Sequence, residues 1–75
     1  MIIRAEWPGV VVNVLVTQSQ EVEEDEPLFL MEGADADRTP FYVNAPEAGK
    51  VKRIIIEEGD FADEDDELIE LTDAD

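Results

Sequence analysis

The sequence contains no cysteine and no histidine. There is therefore no thiolate, no imidazole acid–base group and no soft metal ligand, which excludes nucleophilic triads, haem ligation, structural zinc and disulfide stapling together. A chain without cysteine suits an oxidising or a reducing compartment equally. Basic residues are also scarce, five against 21 acidic ones, giving a formal charge of −16. That field repels phosphate backbones and anionic lipid surfaces, so nucleic-acid and membrane partners are not expected and a protein with a basic surface is. Long apolar runs are missing too. The apolar runs, Val10–Val12 and Val14–Val16 among them, are far too short for a membrane span or a signal peptide, and the reading is a soluble, cytoplasmic protein. With 75 residues the chain makes one small domain, 1–75, whose single core leaves little stability to spare.

The charge is uneven. Residues 57–75 carry eleven acidic side chains and no basic one, while Lys50, Lys52 and Arg53 cluster just upstream. Three physical origins fit: a solvated face with a soluble tail, an acidic face for a basic partner, or adaptation to a saline cytoplasm, where screening shortens the repulsion. The oligomeric state stays open, since a free strand edge favours self-pairing and the charge opposes it.

What the chain does contain is a repeat. Residues 9–32 and 49–72 align without gaps at an offset of forty: Gly9 with Gly49, Val11 with Val51, Glu24 with Glu64, Asp25 with Asp65, Leu28 with Leu68. Each copy runs from glycine through a β-branched segment and two polar turns to a short apolar strand. β-Branched runs favour pleated structure, no apolar series at helical spacing persists, and Pro8, Pro27, Pro40 and Pro46 interrupt any long helix. The expectation is a small all-β sandwich or flattened barrel with quasi-two-fold symmetry. Val11/Val51, Val14/Ile54, Val16/Ile56 and Leu28/Leu68 are expected to point inward, with Val14 and Ile54 critical for stability. Val10 and Val12 align with Lys50 and Lys52 and so are expected to face water. Inward positions at 11 and then 14 break the two-residue alternation of a strand, which predicts a bulge at Val12–Asn13 and again at Lys52–Arg53.

The halves are joined by a projecting hairpin over about 33–40, Gly33-Ala34-Asp35-Ala36-Asp37-Arg38-Thr39-Pro40. The segments Trp7-Pro8-Gly9-Val10-Val11, Pro27-Leu28-Phe29-Leu30-Met31-Glu32, Val43-Asn44-Ala45-Pro46-Glu47-Ala48-Gly49 and Ile56-Glu57-Glu58-Gly59-Asp60-Phe61 resemble the biotinyl/lipoyl carrier domain family, over Ala5 to Leu71. The resemblance implies a flattened barrel of two four-stranded antiparallel sheets. It also implies a hairpin-tip lysine that carries biotin or lipoate and swings acyl or carboxyl groups between active sites. Here the chain departs from the family. No lysine lies between Glu32 and Pro46, neither family lysine signature is present, and the hairpin is about three residues longer than usual. Asp35 stands near the usual lysine position, and Arg38 is a guanidinium that forms no such amide. Ser19, Asp25 and Asp65 stand where the family often has glycine.

No cofactor, no metal and no catalytic residue are therefore expected. The spacing from Asp35 to Asp37 opens like a calcium loop, but the sixth and twelfth positions are Pro40 and Pro46 instead of Gly and Glu. As a glycosidase pair these carboxylates lack a cleft. The leading reading is a non-catalytic protein-binding or adaptor module whose contacts include Gly33, Asp35, Asp37, Arg38 and Tyr42. The alternative is a biotin carboxyl carrier or lipoyl carrier subunit of a multi-enzyme complex, modified at an unusual site, Lys50 or Lys52. A third is a non-covalent ligand held by Gly33–Thr39. Trp7 is expected to pack over the barrel end beside Pro8, and of the adjacent pair Phe41 and Tyr42, the tyrosine is expected to be the exposed one.

Overall fold

A computed structural model describes residues 1–73. They form eight strands: β1 (Ile2–Arg4), β2 (Gly9–Val14), β3 (Glu21–Val22), β4 (Pro27–Gly33), β5 (Pro40–Asn44), β6 (Gly49–Ile54), β7 (Phe61–Ala62) and β8 (Glu67–Thr72). The strands build two four-stranded antiparallel sheets, ordered β1-β8-β6-β3 and β5-β4-β2-β7. This is the all-β, two-sheet architecture expected from the β-branched runs.

The core lies between the sheets and is itself a duplication. The buried hydrophobics fall into pairs forty residues apart: Ala5/Ala45, Val11/Val51, Val16/Ile56, Val22/Ala62, Leu28/Leu68, Phe29/Ile69 and Met31/Leu71. The pairing takes in β1 and β5 as well, so the equivalence reaches beyond 9–32 and 49–72. No polar or charged side chain is buried among the described residues. Burial of each Val, Leu or Ile contributes roughly 1.5–3 kcal/mol before entropy is set against it.

The register shifts in β2 between Val11 and Asn13, and in β6 between Val51 and Arg53. These are the bulges that the alternation required. They turn Val14 and Ile54 back toward the core, but only partly: both are half-buried, whereas Val11 and Val51 are enclosed. The stability weight placed on Val14 and Ile54 therefore moves to Val11 and Val51, because a half-buried side chain can lean into solvent and an enclosed one cannot.

Two equivalent clasps tie the residue after β5 to the turn before β4 and the residue after β1 to the turn before β8. Asp25 N donates to Ala45 O at 2.8 Å and Ala45 N to Glu26 O at 2.9 Å; Asp65 N donates to Ala5 O at 2.8 Å and Ala5 N to Asp66 O at 2.9 Å. Each clasp turns through a left-handed aspartate, Asp25 at φ 67° and Asp65 at φ 71°, and Ser19 sits at φ 74° where its counterpart Gly59 has φ 90°. Asp tolerates this region better than most residues, which is how the chain turns where the family often uses glycine.

The acidic side chains cover an exposed surface, and the three ion pairs among the described residues, Arg4–Glu67, Lys52–Glu70 and Arg53–Glu70, are too solvated to offset the repulsion. Raising ionic strength from 0.1 to 1 M shortens the screening length from about 10 to about 3 Å. The melting temperature is therefore expected to rise with added sodium chloride, as calorimetry at several salt concentrations would show.

Candidate functional site

The site region is the β4–β5 hairpin and the two grooves at its base. The tip is closed by its own side chains. Asp35 accepts hydrogen bonds from Thr39 N at 3.1 Å and Thr39 Oγ1 at 2.9 Å, Arg38 N donates to Asp35 O at 3.1 Å, and Gly33 N donates to Thr39 O at 2.9 Å. Arg38 takes the left-handed conformation, φ 50°, that completes the turn. Ala34 N donates to Pro8 O at 3.2 Å, which ties the hairpin to the segment between β1 and β2.

The Thr39 amide, then its hydroxyl, hold the Asp35 carboxyl below its ordinary value of 3.8. A depressed folded value means that this stabilisation is complete above the ordinary aspartate range and is lost as pH falls through the lowered value. Acidification into that range is expected to perturb the Thr39 amide signal. Asp35→Ala is expected to open the tip to proteolysis between residues 34 and 39 at neutral pH while leaving the melting temperature of the barrel unchanged.

Trp7 does not close the barrel end. It is 61% exposed and stands between two grooves. One groove, about 500 Å³, is lined by Trp7, Pro8, Gly33, Ala34, Asp35, Thr39 and Phe41. The other, about 420 Å³, runs along the edge strands β1 and β5 and includes Ile3, Arg4, Tyr42 and Val43. Phe41 is half-buried against the core and Tyr42 is 59% exposed, the orientation expected of adjacent strand residues.

The structure gathers Gly33, Asp35 and Arg38 around a third depression beside Val10 and Glu32. Asp37 is exposed in the same turn, and Tyr42 lies further along β5. Lys50 and Lys52 are elsewhere. Both project from β6 in the other sheet, where Lys52 Nζ lies 3.7 Å from Glu70. Sequence reasoning missed Thr39 as the partner of Asp35, although the Asp-x-x-x-Thr spacing was a signal for a side-chain-capped turn. Among the described residues no group of three or more carboxylates is placed to hold a metal ion.

The family described as biotin-requiring enzyme, the biotin/lipoyl family, matches residues 1–71. The chain belongs to the biotin/lipoyl family. A solved structure of a single-chain, multi-domain long-chain acyl-CoA carboxylase superposes on the whole chain with a TM-score of 0.88 at 23% identity, which shows the shared fold. The chain spans 7% of that carboxylase's length. No curated protein sequence matches it.

Biotin and lipoate are joined through their carboxyl group to a lysine amine. The biotin/lipoyl hairpin of this chain presents a carboxylate at Asp35, engaged by Thr39, and a guanidinium at Arg38. Neither accepts an acyl group as an amide, so the hairpin residues do not fit the covalent group.

Proposed function

We propose that this biotin/lipoyl-family chain is a protein-binding or adaptor module that acts by protein contact and catalyses nothing itself. The observation that carries the reading is the hairpin: the tip has no primary amine, and the residue near the acceptor position is hydrogen-bonded into the turn. The one-signed surface supports a partner with a basic surface, met in the setting of a multi-enzyme complex like those in which the family's carrier domains work. The family itself favours a second reading, a biotin carboxyl carrier or lipoyl carrier subunit modified at Lys50 or Lys52. These lysines project from a sheet and lack the reach of a hairpin tip.

Intact mass of the protein from its own cells separates the two. The adaptor reading expects the sequence mass, and the same mass after incubation with biotin ligase or lipoate ligase and their substrates. A biotin or lipoyl increment, located by fragmentation, would restore the carrier reading and identify the acceptor.

A further inference from the structure

The internal two-fold supplies a control for every surface position, and the two outer sheet faces differ sharply under it. On the hairpin sheet, Tyr42 pairs with Leu30 and Val10 pairs with Phe61. The direction of this face is set by Val11 and Met31, which alternate with Val10 and Leu30 and point into the core. Tyr42, Phe61 and Val10 are 59%, 56% and 39% exposed, with Leu30 and Val12 half-buried beside them. Forty residues away, the same positions on the other sheet read Ile2, Glu70, Lys50, Lys52 and Glu21. There Glu21 pairs with Lys50 just as Phe61 pairs with Val10, and Glu70 receives Arg53 at 2.8 Å.

Apart from Ile2, which is apolar like its counterpart Tyr42, one set of fold positions has thus been filled twice, once with charged groups and once with aromatic and aliphatic ones. Strand geometry does not demand the apolar version, since the charged one serves on the equivalent sheet. Nor does solubility, in a chain with a net charge of −16. An exposed face this rich in apolar side chains, broken by Asn13 beside Leu30 and Glu32 beside Val10, marks an interaction surface. Glu32 lies within it, paired with Val10, and Glu58 and Asp60 border it along the β7 edge, where Glu58 Oε2 accepts from Val14 N. The cations Arg4, Lys50, Lys52 and Arg53 all belong to the other sheet, leaving Arg38 at the hairpin end.

We infer that the outer face of the β5-β4-β2-β7 sheet docks a different protein, through an apolar patch on that partner rimmed by lysine or arginine. A second copy is the poorer occupant, because a self-complementary contact would bring like carboxylates, Glu32, Glu58 and Asp60, onto one another. The inference concerns a sheet face and not the hairpin tip, so it stands whether or not the chain proves to carry a covalent group.

The test is photo-crosslinking in the native cells, with p-benzoylphenylalanine placed at position 61 or 42 and, as the symmetry-related control, at position 52. The expected result is a crosslink from 61 and 42 to one protein, at a peptide whose apolar residues are flanked by lysine or arginine, and at least tenfold less from 52. The double variant Val10→Lys with Phe61→Glu copies the Lys50–Glu21 pair onto this face. It is expected to keep its melting temperature and to lose the crosslink from position 42. Equal yields from 52 and 61, no crosslink from either, or a crosslink to another copy accompanied by a dimer in sedimentation velocity would each overturn the assignment. If the double variant did not fold, the comparison of positions 61, 42 and 52 in the otherwise unchanged chain would decide alone.

Discussion

Phe29→Ala is expected to leave the domain largely unfolded at 37 °C. Phe29 is fully enclosed, in the centre of the hairpin sheet between β2 and β5, and its counterpart Ile69 is equally buried in the other sheet. Truncating a buried phenylalanine costs about 3–5 kcal/mol, the transfer term plus the cavity left behind. A 75-residue domain holds in total about 4–11 kcal/mol at the usual stability per residue. The loss therefore consumes a large part of the margin, and a chain without cysteine has no disulfide to absorb it. Urea denaturation should show the midpoint falling to a small fraction of the wild-type value, while Tyr42→Ala, exposed on the same sheet, changes it by less than about 0.5 kcal/mol. Equal effects from the two variants would mean that Phe29 is not the enclosed residue described.

Gly49→Val is expected to be as damaging by the opposite route. A Cβ at Gly49 would lie 2.5 Å from the backbone oxygen of Thr72, and one at Gly9 would lie 2.5 Å from the backbone oxygen of Glu32. These glycines are needed because two strands approach closely, and the obstructing atoms are main-chain carbonyls that cannot swing aside. Forcing in even a methyl must separate β6 from β8, or β2 from β4, and overpacking of this kind costs on the order of 3 kcal/mol when backbone has to move. Gly59 supplies the contrast. It has φ 90° with nothing within 4 Å of an added Cβ, and its counterpart Ser19 already occupies the left-handed region. Gly59→Ser is accordingly expected to cost no more than about 1–2 kcal/mol. Circular dichroism melting of Gly9→Ala, Gly49→Val and Gly59→Ser would rank the three; a Gly49→Val protein that melted like wild type would contradict the strand spacing.

Much of this architecture was legible because the chain states it twice. A position apolar in both copies, such as Val11/Val51 or Leu28/Leu68, reported burial more reliably than one copy does, and the mismatch of Val10 and Val12 with Lys50 and Lys52 marked the outward side. The bulges followed from parity alone. Three features were harder to read. Trp7 lies in a connecting segment with no periodicity, so nothing local distinguishes an aromatic that caps a core from one that stands beside a groove. The half-burial of Val14 and Ile54 depends on how far each bulge rotates the strand. The apolar outer face joins Tyr42, Leu30, Val10 and Phe61 from four different strands, and it becomes visible only when the pairing register is known.

The two-fold also has a topological consequence. Forty residues on from the hairpin strands β4 and β5 lie β8 and, wrapping round, β1, and Met1 and Leu71 exchange hydrogen bonds, Met1 N to Leu71 O at 2.7 Å and Leu71 N to Met1 O at 2.8 Å. The β8–β1 pair is therefore the counterpart of the β4–β5 hairpin. A circular permutant that joins Thr72 to Met1 through a short turn and opens within Ala34–Thr39 is expected to keep every strand pairing, since the same two-fold relates the two junctions.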